Sequence, residues 1–202
     1  MLNRGKNIRL FRAEWMERIS HVHPAIPACL FLPLVVLLLA RSARDGVPLA
    51  TAAGMAFAGL AAWTLAEYLT HRLVFHFTPR GPVQKRVAYI IHGIHHDDPH
   101  DATRLVMPPI ISLLLTPPVY GLCASLFGHA LGPVFFAGFT LGYLWYDYTH
   151  FYLHHGRPAS AVGRFLKRHH LRHHYAHDGV NFGVSNPFWD IVFGTLRRGY
   201  QE

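Results

Sequence analysis

Four apolar stretches, at residues 25–40, 49–69, 105–127 and 131–145, set the terms on which this 202-residue chain can fold. A helix needs roughly 20 apolar residues to cross a bilayer's hydrocarbon core. No water reaches that core, so the backbone must satisfy its own hydrogen bonds, and a helix does so within one segment. The second and third stretches are long enough to cross. The first and fourth need their flanks or a tilt, and otherwise read as re-entrant or interfacial helices. Pro108, Pro109, Pro117 and Pro118 predict a kink in the third stretch, or a broken hairpin there. The expected fold is all-α: an integral membrane protein with about four transmembrane helices and a cytoplasmic helical cap.

Charge orients the expected spans. A net charge of +8 would by itself suggest a nucleic-acid partner, but 51% of the residues are hydrophobic. Basic residues flanking apolar spans fit membrane topology better. Of 19 Lys and Arg, only Arg41 and Arg44 fall in the two short connections between paired stretches. The rest lie on the other side, so both termini are expected to be cytoplasmic. The first apolar stretch follows a long basic segment and ends without a small-x-small cleavage site, so it reads as a retained anchor. Cys29 and Cys123 sit in separate apolar stretches and read as free thiols. One domain is expected, laid out in five parts. These are a basic cytoplasmic segment (1–24), two spans (25–69), cytoplasmic histidine boxes (70–104), two more spans (105–149) and a cytoplasmic histidine-rich tail (150–202).

The same topology brings the histidines to one face. The chain has 17 of them. His71 and His76 leave the second stretch, and His92, His95 and His96 precede the third. His150 and His154 leave the fourth, and His170, His173 and His174 follow in the tail. Neutral imidazole suits iron, zinc, copper and nickel. Spacings of i, i+3 and i, i+4 stack side chains on one side of a helix. His71 and His76, five apart, point about 140° from each other on an ideal helix, so they need a helix end or two different metals. Ten imidazoles are too many for one ion. Two adjacent metals would each take about five and keep a position open. A histidine-rich storage tract would be contiguous and polar; these clusters are dispersed and lie beside apolar spans, which points to a fixed site.

Other residues carry weaker expectations. His155 and His169 adjoin ligand positions but fall off the shared face. His100 and His177 are candidates for metal or substrate contact, while His21, His23 and His129 read as loop or interfacial residues. Asp147 lies one turn before His150 near the end of an apolar stretch, where an acid is a functional candidate. It is expected to accept the second N–H of a ligating imidazole and fix its tautomer; pairing with an arginine is the alternative. Glu67, one turn before His71, carries the same two readings.

The segments HRLVFH (71–76), HGIHHDDPHDATRLVMPP (92–109), YDYTHFYLHHG (146–156) and LKRHHLRHHYAHDGVNFGVSNPFWDIVFGT (166–195) resemble the fatty acid hydroxylase and sterol desaturase superfamily of membrane di-iron enzymes. Within it the chain looks most like the fatty acid 2-hydroxylase branch without a cytochrome b5 domain. Carried over by motif, the resemblance implies the ten metal ligands named above and leaves out His155 and His169. It implies two iron ions, with zinc able to occupy the site in purified protein. It further implies O2 and a lipid substrate, hydroxylated at C2 of a fatty acyl or sphingolipid acyl chain. Electrons would come from a separate donor such as cytochrome b5, or ferredoxin with its reductase. A bacterial inner membrane is the favoured location, with the endoplasmic reticulum as the alternative. Phe75, Phe77, Tyr148, Phe151, Tyr152, Phe182 and Trp189 are candidates to line an acyl groove. Sterol or carotenoid hydroxylation, methyl oxidation or desaturation on the same site is the nearest alternative. Metal transport is less consistent, because ligands would then sit near mid-span, and nucleic acid is not expected as a partner.

Overall fold

The computed structural model describes residues 5–6, 8–175 and 179–197. Its elements are helical: α1 (Glu14–Ser20), α2 (Ile26–Arg44), α3 (Leu49–Leu69), α4 (Pro82–Ala88), α5 (Ile94–Asp97), α6 (Pro109–His155), α7 (Ala161–Tyr175) and α8 (Phe188–Val192). Two π-helical turns interrupt the series, Thr70–Phe75 after α3 and Tyr89–Gly93 between α4 and α5. No strand occurs among the described residues.

Three helices are long and apolar enough to cross a membrane: Ile26–Arg44, Leu49–Phe75 and Pro109–His155. The first apolar stretch is therefore a full-length helix, with Pro27 in its first turn, where a missing N–H costs nothing. The third and fourth stretches form one 47-residue element that doubles back on itself. Gly128 has φ 77° and ψ 172°, outside helical geometry. Beyond it Phe127 meets Phe135 at 4.5 Å and Tyr120 meets Phe136 at 5.5 Å between ring centroids. Residues 16 apart on a straight helix would be about 24 Å apart, so the chain must reverse. The reversal falls at Gly128, in the short connection between the third and fourth stretches, and no break occurs at the prolines. Pro108 and Pro109 start the helix, and Pro117 and Pro118 are carried inside it. Glycine is the residue that takes a positive φ without a Cβ clash.

Small residues bring the arms together. A Cβ on Gly138 would run into the Ala56 carbonyl oxygen, and one on Gly59 into that of Phe135. Small-residue contacts of this kind let membrane helices approach backbone to backbone. Below this crossing Trp63 packs edge-on against Phe139 and Tyr143 at 5.0 and 5.4 Å. The outer faces remain apolar: Phe57 is 73% exposed and Leu114 72%. Patches of this extent are untenable in water and natural against lipid.

The N-terminal segment lies over the loop that precedes α6. Buried Arg104 joins them, donating to Glu17 Oε1 at 2.5 Å, the Ile8 carbonyl at 2.5 Å and Ser20 Oγ at 3.2 Å. Tyr148 ties α6 to the start of α2 by donating to the Pro24 carbonyl at 2.8 Å. Cys29 and Cys123 are free thiols.

Candidate metal centre

The ten histidines singled out by spacing meet at one end of the helices, in two clusters. His71, His76, His92, His96 and His173 form the first, and His95, His150, His154, His170 and His174 the second. Within each cluster, one nitrogen from every residue lies within 4.8 Å of all the others.

Local backbone geometry explains how His71 and His76 meet. The turn Thr70–Phe75 is π-helical, and the His76 N–H donates to the His71 carbonyl at 3.2 Å. An i→i+5 bond places the residue five along one turn above its partner. The two rings accordingly sit 5.1 Å apart. A pair that would diverge on an α-helix converges here.

The triplets divide differently from the single shared face that their spacing suggests. His92 and His96, an i, i+4 pair, enter the first cluster, and His95 crosses to the second. In α7, His170 and His174 enter the second cluster, and His173 crosses to the first. Each triplet thus gives a pair to one cluster and a single residue to the other. The clusters abut, with the His96 and His174 rings stacked at 4.3 Å.

Nitrogen spacing provides a test of metal fit. Nε2–Nε2 distances are 3.1 Å for His71–His92, 3.0 Å for His92–His96 and 3.0 Å for His76–His173. In the second cluster they are 3.0 Å for His95–His150, 2.7 Å for His154–His170 and 3.1 Å for His170–His174. Two ligands at right angles, about 2.1 Å from one ion, lie about 3.0 Å apart. The donor set and its spacing therefore fit a first-row transition metal in each cluster.

Two tautomers are fixed from outside. His71 Nδ1–H donates to the Phe182 carbonyl at 2.5 Å, and His173 Nδ1–H donates to the Val180 carbonyl at 2.9 Å. Each bond leaves Nε2 as the lone-pair nitrogen. In the second cluster, Nδ1 of His150, His170 and His174 is buried without a partner among the described residues. Burial, helped by neighbouring imidazoles, holds His76 down to about 4 and His173 to about 3. His96 is likewise held to about 4 by burial. These rings are neutral near pH 7, the form a metal requires.

The carbonyls of Val180 and Phe182 belong to a segment held by two buried acids. Glu67 accepts the N–H groups of Val184 and Ser185 at 2.8 Å each, and the Ser185 hydroxyl at 2.5 Å. Asp190 accepts the N–H groups of Phe182 and Gly183 at 2.8 Å each, together with Thr195 Oγ1 and His169 Nε2. Burial alone would raise the Asp190 carboxyl, but these hydrogen bonds outweigh it and hold the group below its ordinary value. Spacing gives no hint of Asp190, whose acceptor role depends on backbone groups seven and eight residues away. Its sequence signal is a lone acid in the apolar run PFWDIVFG.

The remaining candidates are dispersed. His155 stacks on Phe151 at 4.8 Å, and His169 bonds Asp190; neither joins a cluster. His100 is exposed, and His177 lies outside the described residues. Both Asp147 oxygens face the Met107 N–H at 3.4 Å, a backbone partner in place of the expected imidazole or arginine. Among the aromatic candidates, Phe182 packs against His71, His76 and His173 at 5.6–5.8 Å, while Trp189 donates to Thr64 Oγ1. Phe75 and Phe77 line a cavity of about 420 Å³ together with Tyr89, Ala88, Lys85 and Pro79. The cavity reaches His76, His92 and His96 of the first cluster.

The family model for fatty acid hydroxylases matches residues 56–195. A dihydroceramide fatty acyl 2-hydroxylase of Arabidopsis thaliana is 38% identical over 189 residues, spanning 93% of this chain and 79% of the relative. The ceramide very long chain fatty acid hydroxylase scs7 of Schizosaccharomyces pombe is 41% identical over 156 residues, 76% of this chain and 45% of that protein. The fatty acid 2-hydroxylase of Homo sapiens is 36% identical over 212 residues, 94% of this chain and 56% of that one. A solved structure of full-length scs7p, in which only the hydroxylase domain is visible, matches with a TM-score of 0.86 at 34% identity. It covers 92% of this chain and 70% of the other.

Proposed function

This chain belongs to the fatty acid hydroxylase family, and on that premise we propose that it uses O2 to hydroxylate C2 of a fatty acyl chain, free or within a ceramide-type lipid. The observation that carries the reading is the pair of abutting five-imidazole clusters beside an open groove walled in part by aromatic rings. Its relatives are named for 2-hydroxylation of fatty acyl chains and hydroxylation of ceramide fatty acids, which favours the acyl C2 position over the sterol and carotenoid alternatives.

The ten clustered histidines are the proposed ligands of two iron ions. When bound, such a pair supplies the oxygen activation and C–H oxidation that protein side chains lack. The chain's own groups do the rest. His71 and His173 are held with Nε2 unprotonated by the Phe182 and Val180 carbonyls. Phe182 packs its ring against three rings of the first cluster. The walls formed by Phe75, Phe77 and Tyr89 would take the acyl chain and set which carbon faces His76, His92 and His96. Electrons are proposed to come from a separate redox protein. The imbalance of basic residues supports placing the histidine face, with both termini, in the cytoplasm.

The test is direct. Purified protein loaded with iron under anaerobic conditions is given ceramide or free fatty acid, a reductant and isotopically labelled O2. Mass spectrometry should find the label in a 2-hydroxyacyl chain. Label in a sterol, or a new double bond without label, would select the alternative chemistry.

A further inference from the structure

We propose that Glu67 and Asp190 are positioning residues that set up the first imidazole cluster, and not the second, through the segment 180–186. The inference rests on the two-metal reading above.

The geometry forms a closed circuit. Glu67 stands one turn before His71 on the same helix and grips Val184 and Ser185. Asp190 grips the N–H of Phe182, and the carbonyl of that same residue accepts the His71 Nδ1–H. The segment so fixed also supplies the Val180 carbonyl to His173. Its course demands special residues: Asn181 has φ 57°, and a Cβ on Gly183 would strike the Asn186 carbonyl. Asn181 adds its own ties, donating to the Thr195 and His169 carbonyls, but the N–H groups of residues 182–185 are held by the two acids, and without them the Phe182 carbonyl loses its aim. The second cluster draws all five rings from helices, and neither Val180 nor Phe182 reaches it. Removal of either acid should therefore loosen one metal and spare the other. Outer partners of ligating histidines are typically worth about 10–100-fold in metal affinity.

The substitutions separate geometry from charge. Glu67→Ala removes both acceptors. Glu67→Gln keeps an oxygen for the two N–H groups and an amide that can donate to the Ser185 hydroxyl. Asp190→Asn turns an N–H2 toward the Gly183 N–H, so a donor meets a donor.

The full chain in detergent, stripped of metal, is titrated with zinc against a chelator, and bound zinc is counted by mass spectrometry. Wild type should hold two ions per chain. Glu67→Ala and Asp190→Asn should hold one normally and the other about 10–100-fold more weakly, while Glu67→Gln stays near wild type. Adding His71→Asn to Asp190→Asn should cost no further ion, whereas adding His170→Asn should remove the remaining one. Unchanged binding of both ions in the two variants overturns the inference, as does equal weakening of both in protein with wild-type helical content. If Asp190→Asn fails to fold, equal behaviour of Glu67→Ala and Glu67→Gln overturns it. A wild-type chain that holds fewer than two ions overturns the two-metal reading itself, and the inference with it.

Discussion

The rings of His96 and His174 stack 4.3 Å apart at an angle of 26°, one from each cluster. This contact makes the two groups neighbours, and it turns ten ligand candidates into a single centre.

His170→Ala should lose at least about tenfold in metal affinity, since even an outer partner is worth that much, and hydroxylation should fall with it. His155→Ala, which removes a ring outside both clusters, should keep two metals per chain and most of the activity. Metal analysis of the two purified variants decides this. Equal loss in both would mean that the division between clustered and flanking histidines is wrong.

Gly138→Ala places a methyl group against the Ala56 carbonyl. The α3–α6 crossing must spread, at a cost of about 1–3 kcal/mol typical of overpacking. Gly54→Ala, with open space at its Cβ position, should leave stability unchanged or slightly raised. Thermal denaturation in detergent should rank them in that order, and a Gly138→Ala variant as stable as wild type would contradict the close crossing.

The helices at these crossings were legible from hydropathy because apolar length is a local property of the chain. Eight of the ten ligand candidates were legible for a similar reason, as i, i+3 and i, i+4 spacing is written in single helices. The pairing of His71 with His76 was not, since it depends on a π-helical turn that residue spacing does not announce. Nor was the crossing of His95 and His173 to opposite clusters, which follows from how α5 and α7 face each other. The role of Asp190 was not legible, because a lone acid in an apolar run does not say which backbone N–H groups it will accept.

Acid should destabilise the metal-free protein. An unfolded histidine takes a proton near pH 6.5, whereas burial holds His76 and His96 to about 4 when folded. Between these values the unfolded chain binds more protons, so stability must fall as pH drops from about 6.5 to about 4. Above about 7 these groups contribute no slope. Denaturation midpoints from pH 8 to pH 5 check this; a flat profile below 6.5 would show that the rings are open to water.

Ala88→Phe would fill part of the cavity that reaches His76, His92 and His96. Two metals should still bind, but turnover should shift toward shorter acyl chains. A panel of acyl lengths measures it. Unchanged chain preference with full metal would move the lipid path elsewhere.

The exchange of single histidines between the triplets bears on how the protein is made. A nascent chain that has emerged only as far as His155 holds four of the five rings of the first cluster and three of the second. The missing members, His170, His173 and His174, all arrive with α7. Neither cluster can be completed by the first 155 residues, however well their helices have inserted. A centre that uses both clusters would thereby be completed only in the last quarter of synthesis.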